Sequence, residues 1–241
     1  LGNWNTNGPH AYLSARYLYS GEDPAAIMAD YYRALGGAAA EPLRAYWEAV
    51  DEAYRTSDVH SGSFYGVERV LTPQRIAALA GHLDRADELA KTEREKAVVA
   101  FFRSGLEQGR LTTEMIRHLN AFRFREAKAA RDELRRLNAK LEQQHVVSIY
   151  PNRYLRWFMD AVVDDAGGIM EGGGRMVLRF PDRWRIRLDH YDVGVEEEWF
   201  DPAHGSSHWQ TCRTWGAPSL YSQGFGDFKG PQWFRVAVDV P

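Results

Sequence analysis

The sequence predicts an α+β protein: an all-α helical bundle followed by an incomplete antiparallel β-sandwich. Three observations carry that expectation. Up to about Val163 the apolar residues recur every three or four positions, the period of a helix with one buried stripe. Further on the period shortens to two, in Met176-Val177-Leu178-Arg179-Phe180 and Trp184-Arg185-Ile186-Arg187-Leu188, as in a strand. Gly167-Gly168 and Gly172-Gly173-Gly174 bracket the change and put the domain boundary at 165–175.

Taken in order, residues 1–8 read as a polar, glycine-bearing loop, and Pro9 opens a short helix through Tyr19. Asp23-Pro24 starts the next, because Asp accepts free amide protons of the first turn and Pro has none to satisfy. That helix runs to Leu35 and stops at Gly36-Gly37. Glu41-Pro42 begins a third, with Leu43, Tyr46, Trp47, Val50 and Tyr54 on one stripe. A loop follows over 57–71. Thr72-Pro73 then caps a helix that sends Ile76, Leu79, Leu83, Ala86 and Ala90 inward. Thr92-Glu93-Arg94-Glu95 fits a capping box, and the helix behind it buries Val98, Phe101, Phe102 and Leu106.

A long helix is expected from about Thr113 to about Gln144. Ala127, Ala130, Leu134, Leu137 and Leu141 form its seam, and Lys128–Asp132 and Asp132–Arg136 can pair on the opposite face. Asn152 through Val163 makes a last helix, with Leu155, Phe158, Met159 and Val162 inward. The chain closes on Gly230-Pro231-Gln232-Trp233-Phe234-Arg235, a glycine turn with an aromatic pair and an arginine. An alternating strand, Val236-Ala237-Val238-Asp239-Val240, follows it.

Composition bounds the function classes. The 241 residues are 44% hydrophobic and 26% charged, enough to bury a core in one large domain or two small ones. Thirty basic residues against 33 acidic give a net charge of −3, which argues against a nucleic-acid partner. The single cysteine, Cys212, allows no intrachain disulfide. No apolar run is long enough to span a membrane. Aromatics at 13% are plentiful, and they serve as core filler before they serve as sugar platforms.

Two resemblances sharpen the picture. Trp199-Phe200, Trp209, Trp215 and the Gly230–Arg235 segment resemble the sugar-binding jelly roll at the front of the beta-galactosidase family, glycoside hydrolase family two. That module often ends a segment in Gly-x-x-Trp-Tyr-Arg and a strand closing on Pro; here Phe234 stands for the Tyr, and Pro241 follows. A jelly roll needs about eight strands and residues 183–241 offer about half, so the resemblance implies a sandwich broken off in mid-fold.

The second resemblance lies in the helical half. Gly8-Pro9-His10-Ala11-Tyr12, Ala15-Arg16-Tyr17-Leu18, Asp23-Pro24, Ile27-Met28-Ala29-Asp30-Tyr31-Tyr32 and Gly37-Ala38-Ala39-Ala40-Glu41-Pro42-Leu43 carry it. They resemble the segment after the catalytic (β/α)8 barrel in bacterial glycosidases related to alpha-glucuronidases, a domain-of-unknown-function group. Tyr19 stands where those proteins have Trp, and Gly36-Gly37 where they have Phe-Gly or Tyr-Gly. The implied layout is the tail of a preceding catalytic barrel at 1–22, a helical domain at 23–166 and a partial jelly roll, a galactose-binding-like domain, at 175–241. A missing N-terminal barrel of the same parent chain is then one partner and a poly- or oligosaccharide the other. An exported parent would carry its signal upstream of Leu1.

Candidate chemistry is weighed residue by residue. Asn3, Trp4, Asn5, Asn7 and His10 form the best carbohydrate-binding constellation. Trp offers a flat apolar face to a pyranose, and Asn supplies a donor and an acceptor for neighbouring hydroxyls. The heavier alternative is a terminal loop of Asx turns with Trp4 packed on a helix. Asp164-Asp165, Glu196-Glu197-Glu198 and Asp189 with Asp192 are adjacent carboxylates, favoured as solvated clusters over a hydrolytic pair; no catalytic residue is assigned. Trp199, Trp209, Trp215 and Trp233 are favoured as interior filler.

His204 and His208 have zinc-ligand spacing but a Gly-Ser-Ser interior, which favours a surface turn; no metal or cofactor is expected. Gly224-Phe225-Gly226 lacks the frame of a phosphate loop. Arg123, Arg125, Lys128, Arg131, Arg135 and Arg136 are interleaved with acids and read as a solvated face. The expectation is a non-catalytic accessory fragment of a glycoside hydrolase, the alternative a stand-alone carbohydrate-binding or cell-surface interaction protein.

Overall fold

A computed structural model describes residues 4–57, 66–144, 160–214 and 220–239. The class is α+β: among the described residues, eight α-helices are followed by a three-stranded antiparallel sheet. Two compact units divide the chain, one holding Leu1–Ser57 and Val67–Gly173, the other including Gly174–Pro241. Leu155, Phe158 and Met159, expected to face inward, lie outside the described residues, as do Trp215, Val240 and most of the expected 57–71 loop. No helix among the described residues is long and apolar enough to cross a membrane.

The first helix, α1, spans Trp4–Ser20. The loop expected at 1–8 is thus corrected from Trp4 onward. Pro9 sits inside the helix, near its start, where its fixed φ suits the turn and its missing N–H forgoes one ladder bond. Gly21, at φ 64°, ends α1 by donating its N–H to the Tyr17 carbonyl at 3.0 Å.

α2, Pro24–Gly36, is capped as the sequence predicts: the Asp23 carboxylate accepts from the Ala26 N–H at 3.1 Å. A single tight turn, Gly37–Ala39, leads into α3, Ala40–Arg55. Leu43, Tyr46 and Trp47 are buried there and Val50 is half-buried, but Tyr54 is 45% exposed and leaves the stripe. The short α4, Val67–Val70, falls within the segment expected as loop. α5, Pro73–Leu89, starts on Thr72, whose hydroxyl accepts from the Arg75 N–H at 3.3 Å, and every residue expected to face inward does so.

α6 spans Glu93–Asn120 and begins in the expected capping box. Glu95 reaches beyond that box. One carboxylate oxygen accepts from Lys91 and Thr92 N–H at 2.6 and 2.9 Å, the other from Ala38 N–H at 3.0 Å. Gly37, at φ 49°, permits that approach, because a Cβ there would run into the Glu95 carboxylate. Phe102 and Leu106 are buried; Val98 and Phe101 are only half-buried, and Val99 takes the inward place beside them.

The single helix expected from Thr113 to Gln144 is corrected. α6 runs to Asn120, and α7, Phe124–Gln143, begins afresh. The break is a C-terminal cap of Schellman type. Arg123 N–H bonds the His118 carbonyl at 2.8 Å, and Phe122 N–H bonds Leu119 at 2.9 Å. Phe122 occupies the left-handed position, φ 59°, where glycine is usual. The seam of α7 is as predicted, with Leu137 half-buried and the others buried.

α8, Asp160–Glu171, continues through Gly167-Gly168, glycines expected to lie beyond the last helix. Its inward residue is Val163, whereas Val162 is exposed, one position off the expected phase. Gly167 admits Lys128 from α7: a Cβ there would meet Lys128 Cδ at 2.9 Å. The helical core gathers Tyr31, Tyr32, Leu43, Trp47, Leu83 and Phe102.

In the second unit, β1, Arg183–Leu188, lies between β2, Gln210–Arg213, and β3, Gln232–Arg235. Trp184 pairs with Cys212, and Ile186 with Phe234. Ile186, Cys212 and Phe225 make a small core. The strand expected at Met176–Phe180 does not form. Both edges of β1 are taken by β2 and β3, and Met176, Val177 and Phe180 remain exposed with no ladder to join. The strand expected at Val236–Val240 is likewise corrected. The ladder stops at Arg235, whose guanidinium is tied to carbonyls outside the sheet, and 236–239 are not strand. The expected sandwich is represented by one sheet among the described residues.

Candidate functional site

Residues singled out for saccharide binding fall on α1. Asn3 lies outside the described residues, and Trp4 and Asn5 occupy the first turn of the helix. Asn7 and His10 are exposed. A helix advances about 100° per residue, so positions 7 and 10 lie about 60° apart, while position 5 lies roughly 160° from position 7. The helix therefore brings Asn7 and His10 to one face.

α3 completes this face. His10 Nε2 stands 3.5 Å from Asp51 Oδ1, with both side chains more than half exposed. The His10 ring meets the edge of Trp47 at 6.4 Å, but Trp47 is buried and presents no face to solvent. Tyr54 does. On α3 the positions 47, 51 and 54 follow i, i+4, i+7, so the half-open Tyr54 ring lies one turn beyond Asp51 on the same side. Asn7, His10 and Asp51 supply donors and acceptors, and Tyr54 an aromatic plane. The sequence pattern puts Tyr54 on the buried stripe and gives Asp51 no role; the reach of His10 to α3 carries no short-range signal.

The candidate carboxylates have structural partners. Asp164 is ion-paired with Arg131 from α7, which also donates to Asp132 at 2.8 Å. Arg131 is fully buried, a correction to the expected solvated run. Lys128 pairs with Asp132 at 3.2 Å as expected and also with Glu171. Glu196, Glu197 and Glu198 sit on a single exposed turn closed by Glu198 at φ 52°. Glu197 accepts from the Trp199 indole N–H at 2.7 Å.

Asp189 is the exception to the expected solvated clusters. It is buried and accepts from Val193 N–H at 3.0 Å, Gly194 N–H at 2.7 Å and the Trp233 indole at 3.1 Å. Burial alone would raise its pKa, but these donors outweigh burial and hold it below the usual carboxylate range. Gly194 is required there, since a Cβ would meet Asp189 Oδ2 at 2.7 Å.

Trp199 and Trp209 are buried and Trp233 is half-buried, with Trp199 6.0 Å from Trp209 and 6.1 Å from Trp233. Arg187 stacks 3.6 Å from the Trp199 centroid. Arg235 donates to the carbonyls of Trp199, His204 and Asp201 while lying over Trp209. The Gly-x-x-Trp-x-Arg segment thus anchors the 189–204 loop, Trp233 through Asp189 and Arg235 through main-chain oxygens.

His204 contributes its carbonyl to Arg235, and exposed His208 lies 3.4 Å from Arg187. Among the described residues no cluster of three or more His, Cys, Asp or Glu could hold a metal ion. Phe225 of the Gly224–Gly226 segment is buried in the sheet core. No family model, curated protein or solved structure matches this chain.

Proposed function

We propose that this chain is a non-catalytic accessory portion of a glycoside hydrolase, in which the helical unit supports a catalytic barrel and the α1–α3 face binds a poly- or oligosaccharide. The observation that carries the reading is the exposed pair His10 and Asp51, with Asn7 one turn before His10 on α1 and the half-open Tyr54 ring one turn beyond Asp51 on α3. Donors and acceptors flanking an aromatic plane are what a pyranose requires, hydroxyls at its rim and C–H groups on its face. The Gly230–Arg235 segment supports a sugar-module relationship for the β unit, and the Gly8–Tyr12 and Asp23–Tyr32 motifs support a place behind a barrel.

A glycan array followed by calorimetry on retained oligosaccharides tests the reading. The chain should retain at least one plant or mucosal glycan, and Asn7→Ala with His10→Ala, or Tyr54→Ala alone, should weaken it. Failure to retain any glycan, or equal binding by the variants, would reject the site. Turnover of aryl glycosides that disappears with a single carboxylate substitution would reject the non-catalytic role.

A further inference from the structure

α1, α2 and α6 border an apolar cavity of about 510 Å3 in the helical unit. Rings of Tyr12, Tyr31 and Phe101 line it, with Leu35 and Val98. It is a cleft open to solvent on one side, and small-molecule sites fall in this size range. The cavity also accounts for the phase of α6. Val98 and Phe101 are apolar yet half-buried, and both border this open space.

Among the described residues, Arg94 is the only charged one in the lining. It is exposed, and its Nη2 donates to the Ala34 carbonyl at 3.2 Å, which steadies the guanidinium at the rim. The phenols add little polarity. Burial pushes the Tyr31 hydroxyl up to about 12, so it stays neutral, and the Tyr12 oxygen already accepts from Arg16 at 2.9 Å.

We infer that this cavity binds a small amphipathic carboxylate, its hydrocarbon part between α1, α2 and α6 and its carboxylate on the Arg94 guanidinium. The apolar walls disfavour a sugar, whose hydroxyls would be buried without partners. A cation at the rim disfavours an amine. The planar fork of arginine matches a carboxylate, and its bonds to that group are charge-assisted. This site is separate from the Asn7–His10 face and does not depend on it.

Octanoate and its uncharged counterpart 1-octanol, titrated calorimetrically into the full chain, test the assignment. Octanoate should bind at one site and about tenfold more tightly than octanol, the worth of one charge-assisted contact at a rim. Arg94→Ala should bring octanoate down to the octanol level and leave octanol unchanged. Ala97→Trp, at an exposed lining position, should block both ligands while the far-ultraviolet circular dichroism stays that of the unaltered chain. The inference is overturned if octanoate does not bind, as when another segment or protein fills the space. Equal affinity for octanoate and octanol would also overturn it, as would unchanged octanoate affinity in the Arg94 variant. If the Arg94 variant loses helicity, the comparison of the two ligands on the unaltered chain still decides.

Discussion

Phe102→Ala against Phe101→Ala measures which side of α6 faces the core. Phe102 is 1% exposed, with its ring 5.6 Å from Trp47 and 6.5 Å from Tyr46. Removing it empties a site walled by the bulky Tyr46 and Trp47 rings of α3, so little can collapse into the hole. The cost is about 3–5 kcal/mol, the transfer free energy of the ring plus a cavity. In a unit of this size each kcal/mol lowers the melting midpoint by roughly 2–4 °C, so the drop is about 6–20 °C. The Phe101 and Phe102 rings both border the cleft between α1, α2 and α6, but where Phe102 is closed off from solvent, Phe101 is half in it. Its truncation loses roughly half a transfer free energy, about 1–1.5 kcal/mol, and a midpoint shift of about 2–6 °C. Thermal melts at 222 nm, backed by urea titration, read both. Equal losses, or a larger loss for Phe101, would mean that α6 is turned about its axis by roughly one residue and that the core assignment is wrong.

The Glu95 carboxyl is held down to about 2 by the N–H groups of Ala38, Thr92 and Lys91, against an ordinary 4.5. A depressed acid stabilises the fold above its unfolded value, so this contribution should fade as pH falls from about 4.5 towards about 2. Glu95→Gln should flatten that part of the stability profile; an unchanged slope would refute the linkage. Thr92→Ala removes the N-cap acceptor of α6 and should cost about 1 kcal/mol in urea titration, and a neutral result would dismiss the cap. Asp189→Asn puts an amide donor among three N–H donors, and should speed hydrogen exchange at Val193 and Gly194 and shift the Trp233 indole resonance. Unaltered exchange would show that the loop is held otherwise. Burial raises the Cys212 thiol pKa, so thiol reagents should label it only as the sheet unfolds; rapid labelling of the folded chain would contradict its place beside Ile186 and Phe225.

Helix starts were legible because a cap is local chemistry: Asp23, Thr72 and Thr92 each accept from an amide three residues on. The break after Asn120 was not, because its left-handed position holds Phe122, and no residue there announces a stop. The phase of α6 was ambiguous for a related reason. Val98-Val99 and Phe101-Phe102 are apolar doublets, so a period cannot say which member faces inward. Strands failed on non-local grounds. Residues 176–180 and 184–188 both look extended, yet only the second finds partner edges, at Gln210–Arg213 and Gln232–Arg235.

At the site, Asn7 and His10 were visible as residue types, and Asp51 became visible only once the fold brought it to His10. Asp189 was hidden among other acids. Nothing in its spacing foretells a bond to Trp233.

Glu95 ties the turn after α2 to the start of α6, and the chain between them holds α3, α4 and α5. That stretch behaves as a hoop whose two ends meet at one carboxylate. While the knot holds, its excursions are those of a tethered ring, with less entropy to gain by opening than a free strand of equal length. The amides of Ala38, Lys91 and Thr92 accordingly share one acceptor, and acid or substitution that removes the Glu95 carboxylate charge weakens all three bonds together.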